Sequence, residues 1–369
     1  MRACVHIGTQ KTGTSTIQDF MAANRARLLS EQGCLYPASI MHGKLSSGQG
    51  FHDHNQLTFH LHTPRPVDML GVLRREIEAT GCRRLVISAE AMGSELSDPE
   101  LVARLRRFLQ QLGCSEVRIV VWLRETGAMF ASLCSQWLRT GWANPVHLQA
   151  PQDNPIFCYL LDYRALLQRW EQVFGRQALR VRLFERECWP QGELLRDAVE
   201  AFELAWDERF ILPTPSNERL NLLEMEVLRH VNLRVRGAVF TPGSPKAALF
   251  GPLHRHLGTL QDPQLRFVPP QAVTAAWRQW AAEGNKWVRQ EFFPERTALF
   301  ATPPQEEEHY ELSQMKPQWW EALGRTLAEL SGEVAALRRE LRQQRPPPRE
   351  EMGAPADAYN TPHHGQPKV

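Results

Sequence analysis

Residues 3–33 join three patterns without a gap. Ala3 to Ile7 is a short apolar run, Gly8-Thr9-Gln10-Lys11-Thr12-Gly13-Thr14-Ser15-Thr16 is a polar stretch bounded by glycines, and Ile17, Phe20, Met21 and Leu28 then recur at helical spacing up to Gly33. A strand that passes through a tight polar loop into a helix aims backbone N–H groups and the positive helix end at one point, which suits an anion. Gly8 and Gly13 let the backbone approach such a ligand closely. The hydroxyls of Thr12, Thr14, Ser15 and Thr16 add donors, and Lys11 adds a positive charge.

The same alternation continues along the chain. Arg84 to Ser88, Val117 to Leu123 and Leu179 to Phe184 have the short apolar character of strands. Helical patterns over Val67 to Thr80, Asp98 to Leu112 and Leu160 to Phe174 end at Gly81, Gly113 and Gly175, and another helix carries Met129, Phe130, Leu133 and Trp137. Strands alternating with helices predict an α/β fold, P-loop-like and three-layered, around a central, mainly parallel sheet. Beyond residue 192 the pattern is helical, with helices over Glu218 to Val235 and Pro270 to Phe293 and a long loop expected at 237–268.

The expected organisation is an α/β domain over 1–300, a linker at 301–316 and a helical C-terminal extension at 317–344. Leu323, Leu327, Leu330, Val334, Leu337 and Leu341 give that extension the stripe of an amphipathic helix or short coiled coil, open to self-association. A Pro-, Gly- and His-rich tail expected to be disordered follows at 345–369.

The spacing Gly8-x4-Gly13 is that of a Walker loop, but Thr14 stands where that motif requires lysine, and the lysine lies at position 11. The strand at 84–88 leads to Glu90 and the strand at 117–123 to Arg124, so neither ends in the aspartate that holds magnesium in triphosphate enzymes. A nucleotide kinase or NTPase is therefore the weaker reading of the loop, and a non-catalytic nucleotide-binding scaffold acting through the terminal helix is a third. Arg124, at the C-terminal edge of its strand, faces the crevice where parallel sheets bind ligands. Its planar fork suits a phosphate, and Ser132 follows eight residues later on the next helix.

Lys11-Thr12-Gly13-Thr14-Ser15-Thr16 resembles the 5′-phosphosulfate loop of sulfotransferases that use 3′-phosphoadenosine 5′-phosphosulfate (PAPS), in their bacterial, Golgi-like branch. Arg124 and Ser132 resemble that family's 3′-phosphate signature. Weaker similarity runs through Leu161-Asp162-Tyr163, Trp170 with Phe174-Gly175, Val181 to Arg186, Ser216-Asn217-Glu218 and Glu283 to Val288, covering about residues 4–300. The resemblance implies PAPS as sulfate donor, bound by Lys11, Thr12, Gly13, Thr14, Ser15, Thr16, Arg124 and Ser132, with no metal. It also implies transfer to a hydroxyl or amine of a carbohydrate, a lipid-linked sugar or a small metabolite. Lys11 would then act near the bridging oxygen as a catalytic residue. Glu90, just beyond its strand, is the first candidate for the base that removes the acceptor proton.

His54 is the second candidate base. It belongs to a group of five histidines, His42, His52, His54, His60 and His62, in a stretch that reads as an irregular acceptor-side loop. That stretch lacks cysteine and a helical His-x3-His pair, which weighs against a metal site. The 43 basic and 41 acidic residues nearly balance, excluding wholesale polyanion binding and arguing against nucleic acid as a partner. Seven scattered cysteines form no Cys-x-x-Cys pair, and no signal peptide or long apolar run is visible, so a reducing, cytoplasmic setting is expected.

Overall fold

A computed structural model describes residues 1–41, 52–63, 67–214, 219–236, 238–239, 244–301 and 307–343. Five strands are found among them: β1 (Arg2–His6), β2 (Cys34–Leu35), β3 (Arg84–Ser88), β4 (Glu116–Leu123) and β5 (Leu179–Leu183). They form one sheet in the order β2-β3-β1-β4-β5, and every pairing is parallel. The expected P-loop-like, three-layer α/β fold is what the chain adopts.

Alternate residues of the central strands feed two cores, because successive side chains in a strand point to opposite faces. Val5, Ile7, Leu85, Ile87, Ile119 and Val121 face one helical layer. It contains α3 (Asn55–His62), α4 (Met69–Thr80), α6 (Pro99–Gln111) and α9 (Tyr163–Phe174). Cys4, Val86, Val120 and Trp122 face the other, built from α1 (Thr14–Ala23), α2 (Arg25–Gln32) and α10 (Leu194–Ala201). A side body packs α7 (Thr126–Arg139), α8 (Pro155–Leu161), α11 (Leu222–Asn232) and α13 (Gln271–Phe292) around Phe130, Phe157 and Trp277. The short α5 (Ala91–Glu95) follows β3. Finally α12 (Pro245–Leu257) and α14 (Pro317–Gln343) share a small core made by Leu253, Leu257, Trp319 and Ala322.

Several local expectations change. The helix expected after the first loop is two, because Asn24 uses its amide to bind Phe20 and the backbone of Ile211 on both sides. The helix expected over 160–174 is interrupted at Asp162, whose carboxylate caps the N–H of Ala165. The loop expected at 237–268 contains α12, started by the Ser244 side chain accepting from Ala247 N–H with Pro245 in the first turn. Pro252 lies inside that helix and removes one internal hydrogen bond, which the burial of Leu253 and Leu257 offsets. Among the described residues no helix is long and apolar enough to cross a membrane. The tail at 345–369, His42 and Ser216-Asn217-Glu218 lie outside the described residues.

Candidate anion-binding site

The order of the sheet brings the C-terminal ends of β3, β1 and β4 side by side, with β1 in the middle. In an open parallel sheet this is the edge at which ligands bind. The loop after β1 turns back through left-handed backbone at Gly8 (φ +61°), Lys11 (φ +64°) and Gly13 (φ +76°). A Cβ on Gly8 would come within 2.7 Å of the Glu90 Cα, so only glycine fits there. Lys11 carries a side chain in the same region, a cost of about 1–3 kcal/mol that surrounding contacts must hold in place.

Those contacts are polar and largely buried. Thr9 Oγ1 donates to the Trp122 carbonyl on β4 at 2.7 Å, and Thr12 Oγ1 donates to the Thr9 carbonyl at 2.7 Å. Thr12 and Thr14 are both buried, whereas Ser15 is exposed and Thr16 half-buried. Gly13 precedes α1 and no side chain caps that helix start. The Thr14 hydroxyl is buried without a hydrogen-bond partner among the described residues. Buried hydroxyls are normally paired. An uncapped helix start beside an orphaned hydroxyl is a donor set fitted to an anion.

Arg124 enters this loop directly. Its Nη1 donates to the Lys11 carbonyl at 2.9 Å across 113 residues of sequence. The Arg124 carbonyl accepts from the Tyr163 hydroxyl at 2.8 Å, and the guanidinium lies 5.5 Å from the centre of the Phe184 ring. Burial, and after it the positive charge of Arg219, pull Arg124 below the ordinary arginine range. A nearby anion would relieve the mutual repulsion of the two guanidinium charges. Ser132 is buried one and a half turns into α7, the helix that starts beside Arg124.

The start of α7 is already occupied. Glu125 accepts from the N–H groups of Gly127 (3.0 Å) and Ala128 (2.7 Å) and pairs with Arg278 of α13 at 2.8 Å. Burial pushes the Glu125 carboxyl up, but Arg278 and the two N–H donors outweigh it and hold it below the usual range. Asn285 of α13 also reaches Thr126 at 3.1 Å, while its neighbour Lys286 is exposed, 3.9 Å from Glu283. Glu125 stands at cap spacing and could have been found in the sequence. Tyr163 lies in one of the weakly similar stretches, whereas Arg278 and Arg219 carry no local signal.

Glu90 opens α5 directly after β3, half-buried, with its backbone against Gly8. It shares a narrow crevice with Thr9, Gln10, Met129, Tyr159 and Arg169. Arg169 Nη2 donates to the Gly93 carbonyl at 2.8 Å and the Tyr159 hydroxyl to the Ser94 carbonyl at 2.7 Å, which fixes the crevice wall.

His54 does not fit the part of a base. Its Nε2 faces the Pro37 carbonyl at 2.9 Å, and its Nδ1 accepts from the Ser88 N–H at 2.9 Å. Both ring nitrogens are thus committed to main chain, and burial pushes the ring's pKa down to about 4. His6, against Ser88 Oγ at 2.9 Å, is likewise buried and pushed down to about 3. Both buried histidines hold Ser88, the last residue of β3, His6 through its hydroxyl and His54 through its N–H. The stretch expected to be irregular around His52, His54, His60 and His62 is partly the helix α3. Among the described residues no three His, Cys, Asp or Glu side chains gather as a metal site.

No family model matches the chain. An uncharacterized protein of Archaeoglobus fulgidus is 26% identical over 97 residues, which is 26% of this chain and 27% of that protein, so the match spans about a quarter of the relative. A solved sulfotransferase from Alicyclobacillus acidocaldarius is 16% identical, with 62% of this chain and 90% of that one aligned at a TM-score of 0.34. A solved sulfotransferase domain from the curacin biosynthetic pathway is 12% identical, with 77% and 97% aligned at a TM-score of 0.37.

Proposed function

We propose that the chain is a PAPS-dependent sulfotransferase that acts on a hydroxyl or amine of a carbohydrate, a lipid-linked sugar or a small metabolite. One observation carries the reading. The two separated motifs that resemble the family's donor-binding signatures touch, Arg124 Nη1 on the Lys11 carbonyl at 2.9 Å, beside the orphaned Thr14 hydroxyl. A phosphate-bearing donor fits that set of residues. The α1 N–H groups with Thr14, Ser15 and Thr16 would hold its 5′ end, Thr12 contributing backbone alone because its hydroxyl donates to the Thr9 carbonyl, and Arg124 with Ser132 would hold its 3′-phosphate.

When bound, PAPS supplies an activated sulfuryl group. Lys11 then neutralises the charge that develops on the departing phosphate oxygen, and such a cation is worth about 10²–10³ in rate. Glu90, whose backbone lies against Gly8, takes the proton of the acceptor as its oxygen or nitrogen attacks. Met129 and Tyr159 give the acceptor crevice an apolar wall, with Arg169 beside them.

Calorimetric titration with 3′-phosphoadenosine 5′-phosphate, against ATP with magnesium, tests the reading. The bisphosphate binds without metal, and Arg124→Ala weakens it about 10- to 150-fold, the loss of 1.5–3 kcal/mol from a hydrogen bond to a charged group. Preference for magnesium ATP, or indifference to Arg124→Ala, overturns it in favour of a nucleotide kinase.

A further inference from the structure

We infer that the chain pairs with a second copy of itself through α14, as a parallel two-stranded coiled coil. The inference is independent of the reading of the anion site. The helix carries two stripes. Trp319, Ala322 and Thr326, with Glu329, form the first and lie against the body of the protein. Trp319, Ala322 and Thr326 are at most 6% exposed, and Glu329 pairs with Arg255 and with His256, the latter at 2.7 Å. The second stripe, Trp320, Leu323, Leu327, Leu330, Val334 and Leu337, is offset by one residue and therefore about 100° around the helix; Leu323 still packs against the α12–α14 core and Leu330 is half-buried, while the other four are exposed.

Trp320 is 61% exposed, Leu327 63%, Val334 47% and Leu337 58%. The docked stripe stops at Glu329, while the helix runs on to Gln343, so its last 14 residues project about 21 Å beyond the last docked residue. A projecting helix that exposes Trp320, Leu327, Val334 and Leu337 along one face is not what a monomer keeps on its surface.

The spacing names the occupant. Leu323, Leu327, Leu330, Val334, Leu337 and, in sequence, Leu341 alternate four and three residues apart, the seven-residue repeat of two helices that supercoil. The d positions are Leu323, Leu330 and Leu337 and the a positions Trp320, Leu327, Val334 and Leu341, an apolar seam that a second helix would bury; the orientation of the pair is set by the flanking charges. Glu333 and Glu340 then fall at g positions and Arg338 at an e position. In a parallel pair, Glu333 of each copy faces Arg338 of the other. Glu340 and Arg345 repeat the same spacing in sequence, Arg345 lying outside the described residues. An antiparallel pair would set Glu against Glu and Arg against Arg.

Sedimentation equilibrium of the full chain from 1 to about 100 µM tests this. The wild type is a dimer, and Leu327→Glu with Leu337→Glu weakens it at least tenfold with the thermal melt of the monomer unchanged, since both leucines are exposed. Glu333→Arg alone weakens the dimer, and adding Arg338→Glu restores it. A monomeric wild type overturns the inference, including one that instead sediments with anionic vesicles. So does a dimer indifferent to the leucine changes. Failure of the double charge swap to restore pairing overturns the parallel arrangement.

Discussion

The loop crevice and the terminal helix depart from the ordinary distribution of residues in opposite directions. In the crevice Thr9, Thr12 and Thr14 are buried, and one of their hydroxyls has no partner among the described residues. On α14, Leu327 and Leu337 stand in the open. A hydroxyl buried without a partner costs about 1–3 kcal/mol, and a leucine left exposed forgoes about 1.5–3 kcal/mol of burial. Buried polar groups and exposed apolar rows are the informative exceptions. Both costs are met by the large cores around the sheet, and each agrees with the partner proposed above: an anion at the first, an apolar helix at the second. They also differ in how they are held. The crevice depends on contacts such as Thr9 to Trp122 and Arg124 to Lys11 between distant segments. The stripe on α14 follows from helical geometry alone.

Three substitutions test how far the crevice is built for a ligand rather than for stability. The largest effect is expected from Lys11→Asn, because asparagine tolerates the left-handed backbone but has no charge. Transfer of labelled sulfate to a library of carbohydrate and phenolic acceptors falls 10²–10³-fold, about 3–4 kcal/mol, while the urea midpoint holds. An unchanged rate removes Lys11 from the chemistry. Gly8→Ala comes next. Its Cβ meets the Glu90 backbone at a positive φ, so unfolding in urea shows a loss of about 2–4 kcal/mol, and a neutral result would mean that the loop shifts freely. Thr14→Val is the smallest change and the most discriminating. Replacing the orphaned hydroxyl by a methyl raises the stability of the free protein by about 1 kcal/mol and weakens the bisphosphate about tenfold. Stability that falls would show a structural hydroxyl like that of Thr12.

Legibility in the sequence followed the range of the interactions. The strand–loop–helix of residues 2–23 was readable because glycine freedom, hydroxyl donors and apolar spacing are local properties. The repeat in α14 was readable for the same reason. The helix at 245–257 was hidden by Gly- and Pro-rich composition, since its start depends on one cap and its stability on burial against α14. His54 invited a catalytic reading from its place beside other histidines. Its two main-chain partners, Pro37 and Ser88, lie 17 and 34 residues away, and only folding brings them to it.

From sequence alone follow the strand–loop–helix at the start with its glycines, hydroxyls and lysine, the alternation that demands a parallel α/β sheet, and the apolar stripe of the last helix. Tertiary structure decided that β1 lies between β3 and β4, and with it that Glu90 meets Gly8 and Arg124 meets Lys11. The reason is physical. Backbone propensity and residue period act over a few neighbours, whereas strand order is set by which distant segments bury their apolar faces together, and the site lies where those segments end.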